Sequence, residues 1–230
     1  MDHKRVTLFA GHYGSGKTNI AVNYALHLAS EGKKVCIGDL DIVNPYFRTK
    51  DSEAELKRAG VELISPQFAN SNVDLPALPA EAYRLVEDKS IFAIMDIGGD
   101  DRGAYALGRY APALLAENNF RMAFVANCYR PLTRTPQEAM EVMEEIQQAC
   151  GIRFTCIVNN SNLGAETTEE TLTQSQGFIQ ELCRLSGLPL WMTTAQADVA
   201  AKMENVFPLQ LQKKPFDLPP QKPAGRPLWG

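Results

Sequence analysis

The sequence predicts an α/β fold, a mostly parallel sheet with helices on both faces. Three observations carry this expectation. Short apolar runs alternate with helix-patterned segments along most of the 230 residues. Those runs are apolar at nearly every position, as strands covered by helices on both faces are. The unusual residues Gly11, Asp39, Asp96, Asn127 and Asn159 fall at the ends of the runs. Open parallel sheets bind their ligands at that edge.

Taken in order, Arg5 to Ala10 is a β-branched and aromatic run, hence a strand. Ile20, Tyr24, Ala25, Leu28 and Ala29 then recur at helical spacing. Lys34 to Asp39 is a strand ending in acid. Ser52 to Ala59 reads as a short helix closed by Gly60, and Val61 to Ser65 as another strand. Pro76 to Asp88 is helical, with Leu78, Ala82, Leu85 and Val86 on one face. Ile91 to Asp96 is the most apolar strand and again ends in acid. Tyr105 to Glu117 reads as a helix that contains Pro112. Met122 to Asn127 is a strand, and Thr135 to Cys150 is an amphipathic helix with Pro136 in its first turn. Phe154 to Asn159 is a strand, Thr168 to Ser186 a helix stopped by Gly187, and Leu188 to Met192 the last strand. Ala195 to Asn205 completes the pattern as a helix. Residues 1–212 therefore read as one domain. Residues 213–230 carry five prolines and no helical period, and read as a proline-rich arm, either extended or a disordered end.

Between the first strand and the first helix stands G-H-Y-G-S-G-K-T, Gly11 to Thr18, which fits G-x-x-x-x-G-K-S/T. Glycines let the backbone fold so that successive N–H groups point at phosphate oxygens. Lys17 reaches the β- and γ-phosphates, and the Thr18 hydroxyl is placed for Mg²⁺. The helix that follows sets its positive end under the phosphates. Gly11, His12, Tyr13, Gly14, Ser15, Gly16, Lys17, Thr18 and Asn19 are the expected nucleotide contacts, and the expected fold is that of a P-loop NTPase.

Two acidic loops complete the candidate site. Asp96-Ile-Gly-Gly99 follows the most apolar strand. Its carboxylate suits a hard cation, and Gly99 can offer its N–H to a γ-phosphate. Asp100 and Asp101 in the same loop read equally as solvated charge. Asp39-Leu-Asp41-Ile-Val-Asn44-Pro-Tyr-Phe-Arg48 leaves the second strand. Arg48 can stabilise a transferring phosphoryl group or pair with a surface acid. Asn127 to Thr133 also ends a strand, and Tyr129 or Arg130 there can touch a nucleotide, touch a partner or only shape the loop.

Composition narrows the function. Net charge is −4 and the pI about 5.5, which argues against a general nucleic-acid surface. No apolar run has membrane-spanning length and no secretory leader is visible, so a cytoplasmic protein is expected. Cys36, Cys128, Cys150, Cys156 and Cys183 form no C-x-x-C pair and read as free thiols. His3, His12 and His27 lie too far apart in sequence to suggest a metal site.

G-H-Y-G-S-G-K-T, D-L-D-I-V-N-P and D-I-G-G together resemble the MinD/ParA/CobQ-CobB nucleotide-binding superfamily, of the SIMIBI class, over roughly Arg5 to Asn205. The resemblance implies that the loop after Asp39 is switch I, with Asp39 near Mg²⁺ and Asp41 placing the attacking water. It implies that Asp96 and Gly99 belong to switch II. Thr18, Asp39 and Asp96 are then the metal-site residues, and Lys17 and Asp41 the catalytic ones. It further implies that Asn159 reads adenine, with Asn160 a close competitor; an amide can both donate and accept on that edge. Many members carry, at the position of His12, a lysine that reaches across a dimer; His12 lacks that fixed charge.

The expected activity is Mg²⁺-dependent ATP binding with slow hydrolysis that moves the switch loops. ATP is preferred over GTP because N-N-S-N at Asn159 to Asn162 is no N-K-x-D guanine motif. ATP and ADP are the expected ligands, with a protein or small-molecule partner left open and no membrane. A small-molecule kinase or ligase, with an acceptor pocket near Tyr46, Arg48 or Arg102, is the second reading. A nucleotide-gated binding module with negligible turnover is the third.

Overall fold

Eight parallel strands form one sheet in the order β3-β2-β4-β1-β5-β6-β7-β8 among the described residues. The computed structural model describes residues 3–40, 49–65, 80–98 and 101–211. Expectations for Asp41, Tyr46, Arg48, Gly99, Asp100 and the arm at 213–230 lie outside the described residues, as does the start of the helix expected from Pro76.

The strands are β1 Val6–Ala10, β2 Val35–Leu40, β3 Glu62–Ile64 and β4 Phe92–Ile97 on one half. On the other are β5 Phe120–Ala126, β6 Cys156–Asn159, β7 Leu190–Gln196 and β8 Val206–Leu209. The helices are α1 Lys17–Ser30, α2 Glu53–Arg58, α3 Arg84–Glu87, α4 Asp101–Gly108, α5 Ala111–Glu117, α6 Pro136–Cys150, α7 Glu169–Ser186 and α8 Ala197–Ala200. Parallel strands need crossovers, and these helices supply them on both faces.

Residue alternation splits the core into two layers. Val6, Leu8 and Ala10 point toward Leu107, Met143, Ile179 and Leu182, under α4, α6 and α7. Phe9 points the other way, toward Ile20, Tyr24 and Leu28 of α1. The same alternation puts Ile37 of β2 and Ile94 of β4 on the α1 face. Asp39 and Asp96, two residues further along, therefore face α1 as well.

Three elements differ from the sequence reading. The helix expected at Tyr105 to Glu117 is two helices, α4 and α5, because Pro112 cannot sit inside a helix and instead occupies the first turn of α5. The strand expected to end at Met192 runs on to Gln196, which leaves only the four residues of α8 from the helix expected at Ala195 to Asn205. Val206 to Leu209 is an unanticipated strand, β8, at the sheet edge, where Pro208 is tolerated. Elsewhere the caps follow the sequence. Thr135 and Glu138 form a capping box on α6, and Gly151 closes that helix in the left-handed conformation.

The edge of the sheet opposite the candidate site is held by Arg5. Its guanidinium forks onto the Glu117 carboxylate. It also donates to the carbonyls of Leu85, Val86 and Asp88, at 3.2, 3.1 and 3.1 Å, and so caps α3. Hydrogen bonding from Arg5 holds the Glu117 carboxyl below its ordinary value of 4.5. A depressed carboxylate stabilises the fold above its unfolded pKa, and the contribution is lost as pH falls through the folded value. Glu117→Gln should therefore cost about 3 kcal/mol at neutral pH by stranding a buried guanidinium. The gap to the parent should shrink below about pH 4.5 in urea unfolding.

Candidate functional site

The site lies at the carboxyl ends of the central strands. β1 sits mid-sheet between β4 and β5, and the chain leaves it to the left toward β2 and later to the right toward β5. Such a switch point opens a crevice above the strand ends. Gly11 to Gly16 fills it.

Two close approaches shape this loop. A Cβ on Gly11 would come within 2.6 Å of the Val125 carbonyl oxygen of β5. Gly16 has φ 92°, and a Cβ there would overlap the Asn160 amide nitrogen. The Asn160 Nδ2 donates to the Ser15 carbonyl oxygen at 2.6 Å, while its Oδ1 accepts from the Thr194 hydroxyl at 2.7 Å. Asn160 thus ties the loop to β7. The Ser15 amide donates to the His12 carbonyl at 3.1 Å and closes the turn.

α1 begins directly at Lys17 with Gly16 as its N-cap and no side-chain cap. Its first N–H groups therefore stand at the loop, with the positive end of the helix dipole behind them. Lys17 is buried and its Nζ donates to the His12 carbonyl at 3.2 Å, so the side chain folds back over the loop. The Ser15 hydroxyl is buried without a hydrogen-bond partner among the described residues. Thr18 is 9% exposed, one residue into the helix.

Asp39 and Asp96 are register partners in β2 and β4, and both are buried. Neighbouring parallel strands lie about 4.8 Å apart, so the two carboxylates stand side by side on the α1 face. Thr49, fully buried, donates its hydroxyl to Asp96 Oδ2 at 3.1 Å. Thr49 thus brings the segment before α2 to the end of β4. The sequence reading missed it, since a threonine in a polar T-K-D-S stretch carries no signal of its own. These oxygen donors fit a hard divalent cation, which relieves repulsion between adjacent carboxylates.

The other wall is a network of asparagines. Asn127 is fully buried, and its Oδ1 accepts from the amides of Tyr129 and Asn162 at 3.0 and 3.3 Å. It welds the loop after β5 to the loop after β6. Asn159 points to the opposite face from α1. Its Nδ2 donates to Ser175 of α7 at 3.0 Å and its Oδ1 accepts from the Ser161 amide at 3.1 Å. Of the two adjacent asparagines, Asn160 is the one against the phosphate-type loop. Tyr129 shapes the fold, donating its hydroxyl to the Thr171 carbonyl at 2.8 Å. Arg130 lies alongside Gly14, with its side chain 3.9 Å from a Cβ built there. His12 and Tyr13 stand on the outer side of the loop, where Tyr13 is 53% exposed and the His12 ring Nδ1 lies 2.9 Å from the Tyr13 carbonyl oxygen. Asn19 holds Asn23, which donates to its carbonyl at 2.8 Å. Burial pushes the thiol of Cys36 up to about 12 and that of Cys156 up to about 11, so neither is a thiolate at neutral pH.

No protein-family model matches the chain. No curated protein matches it either. Among solved structures, it is similar to the cell division protein FtsY of Thermotoga maritima, at 18% identity and a TM-score of 0.59, covering 83% of this chain and 61% of that one. It is similar to FtsY of Mycoplasma mycoides, at 18% identity and a TM-score of 0.57, covering 85% and 62%. The signal recognition particle 54 kDa protein of Aeropyrum pernix, in complex with GDP, aligns at 15% identity and a TM-score of 0.51, covering 84% and 41%. This chain spans less than two thirds of each of these proteins. The likeness is one of architecture. The fold is a P-loop NTPase fold.

The contact between Gly16 and Asn160 makes a quantitative prediction. Gly16→Ala should destabilise the protein by about 1–3 kcal/mol, from backbone strain and overlap together. Asn160→Ala should also destabilise, by about 1–3 kcal/mol, through the stranded Ser15 carbonyl and Thr194 hydroxyl. The double variant should be more stable than the sum of the two losses, because the overlap disappears. Chemical denaturation of the four proteins measures the coupling.

Proposed function

We propose that the protein binds ATP with Mg²⁺ at the Gly11–Thr18 loop, hydrolyses it slowly and uses the change to move its switch loops. The observation that carries this reading is the loop itself. It is held between β1 and an α1 that starts at Lys17 without a side-chain cap, and Asp39 and Asp96 stand on the same face. Backbone N–H groups, a lysine and buried carboxylates are the parts that phosphoryl transfer requires. We assign phosphate binding to Gly11, His12, Tyr13, Gly14, Ser15, Gly16, Lys17, Thr18 and Asn19. The cation site is assigned to Thr18, Asp39 and Asp96, and Thr49 joins them through its bond to Asp96. Bound Mg²⁺ would neutralise charge on the β- and γ-phosphates. Lys17 supplies a positive charge there that persists through the reaction, and Asp41 orients the water. Gly99 offers its N–H from switch II. The MinD/ParA/CobQ-CobB resemblance supports this reading through the D-x-D and D-x-x-G loops.

The base decides between ATP and GTP. The absence of N-K-x-D at Asn159 to Asn162 supports adenine. A guanine nucleotide is the competing reading, since the Aeropyrum pernix and Elizabethkingia anophelis structures hold GDP. Adenine reading by Asn159 requires its amide to use capacity beyond the bonds to Ser175 and Ser161. Competition of ATP and GTP for a fluorescent analogue decides the base, and Asn159→Ala should narrow the preference.

Lys17→Ala should lose about 2–4 kcal/mol of triphosphate affinity or transition-state stabilisation with the circular dichroism unchanged. Unaltered affinity and turnover would sink the assignment. Asp96→Asn should weaken binding in Mg²⁺ far more than binding in chelator, and Thr49→Val should do so to a smaller extent, both read by calorimetry. Asp41→Ala should leave ATP bound and slow phosphate release by about 100-fold or more.

A further inference from the structure

A second cluster of metal-binding side chains lies at the far end of α1 from the phosphate-type loop. Two of the chain's three histidines meet one glutamate there. His27 and Glu31 are four residues apart at the end of α1, so they share one face. His3 stands just before β1. α1 runs back antiparallel to β1, which brings its last turn beside the start of the strand.

The distances suit a small metal ion. His3 Nε2 lies 3.0 Å from Glu31 Oε2, and His27 Nε2 lies 3.3 Å from Glu31 Oε1. All three ligand atoms fall within 4.8 Å of one another. A tetrahedral ion with bonds of about 2.0–2.1 Å holds its ligand atoms about 3.3 Å apart. Small side-chain rotations would therefore admit the ion.

The surroundings also suit imidazole ligation. His3 Nδ1 lies 3.0 Å from the hydroxyl of Tyr24, a fully buried residue. A metal-bound histidine donates its second ring N–H to such a partner, which fixes ring and tautomer. The His27 ring is steadied by an edge-on contact with Phe207, at 5.5 Å between centroids. It also lines a groove of about 640 Å³ between α1 and the β7–β8 edge.

We infer that His3, His27 and Glu31 form a site for one zinc-class divalent ion, with water or an exogenous ligand in the fourth position. Two imidazoles and a carboxylate are borderline donors, matched to Zn²⁺ rather than to Mg²⁺. The site would clamp the start of β1 to the end of the helix that begins at the loop. It stands independently of the proposed nucleotide chemistry.

The test is zinc competition between the metal-stripped full-length protein and a chromophoric chelator, in excess Mg²⁺ and without nucleotide. One Zn²⁺ per chain is expected, with a rise in melting temperature. Changes to second-sphere partners alone weaken metal sites by about 10- to 100-fold, so His27→Ala and Glu31→Gln should each cost at least about 100-fold. Cys128→Ser and Cys183→Ser should leave zinc affinity unchanged. Glu31→Gln keeps the shape of the cluster and decides the matter if His3→Ala or His27→Ala fails to fold. Bound Co²⁺ should show tetrahedral visible bands without a thiolate charge-transfer band. No stoichiometric zinc, zinc that survives Glu31→Gln, or zinc lost with the cysteines would overturn the inference.

Discussion

The close approach of Gly16 to the Asn160 amide is the constraint on which the site depends. A loop of successive N–H groups has no reason to hold one shape, since its own hydrogen bonds are few. Here the loop is fixed from outside. Asn160 grips the Ser15 carbonyl and is itself gripped by Thr194 of β7. Gly11 presses against Val125 of β5. The loop is thus located against two strands beyond β1, and its pocket is shaped before any ligand arrives. Preorganised donors cost no rearrangement when charge develops before them.

The parallel sheet supplies the rest. Every crossover returns the chain to the same edge, so β4 ends beside β1 and β2 beside β4, and the two strands deliver Asp96 and Asp39 to the α1 face. Thr49 ties the segment before α2 to the Asp96 carboxylate at the end of β4. The same geometry works at the opposite edge. Arg5 gathers Glu117 and the end of α3 there, and the last turn of α1 meets the residues before β1. α1 therefore joins two polar clusters, one at each end.

Much of this was legible in the sequence. The glycine loop and the acids after the second and fourth strands announce themselves because their chemistry demands fixed spacing. The core strands are legible because both of their faces are buried. What could not be read depends on contacts between distant segments. Asn159 and Asn160 are adjacent and chemically identical; only strand alternation sends one to α7 and the other to the loop. Thr49 matters through a single bond across 47 residues. β8 was hidden by Pro208, which signals a break unless the strand lies at an edge. His3 and His27 looked scattered because their separation is sequential, and the antiparallel return of α1 removes it. That last signal was available in principle: residues just before the first strand and in the last turn of the following helix are neighbours in any βα unit of this kind.

The central claim is that the Gly11–Thr18 loop holds a nucleotide's phosphates together with Mg²⁺. A crystal structure with Mg²⁺ and a non-hydrolysable ATP analogue tests it most directly. β- and γ-phosphate oxygens should lie on the N–H groups of Gly14 to Thr18 and on Lys17 Nζ. The metal should lie between the Thr18 hydroxyl and the Asp39–Asp96 pair. Phosphates bound elsewhere, or a loop left without ligand at saturating analogue, would contradict it.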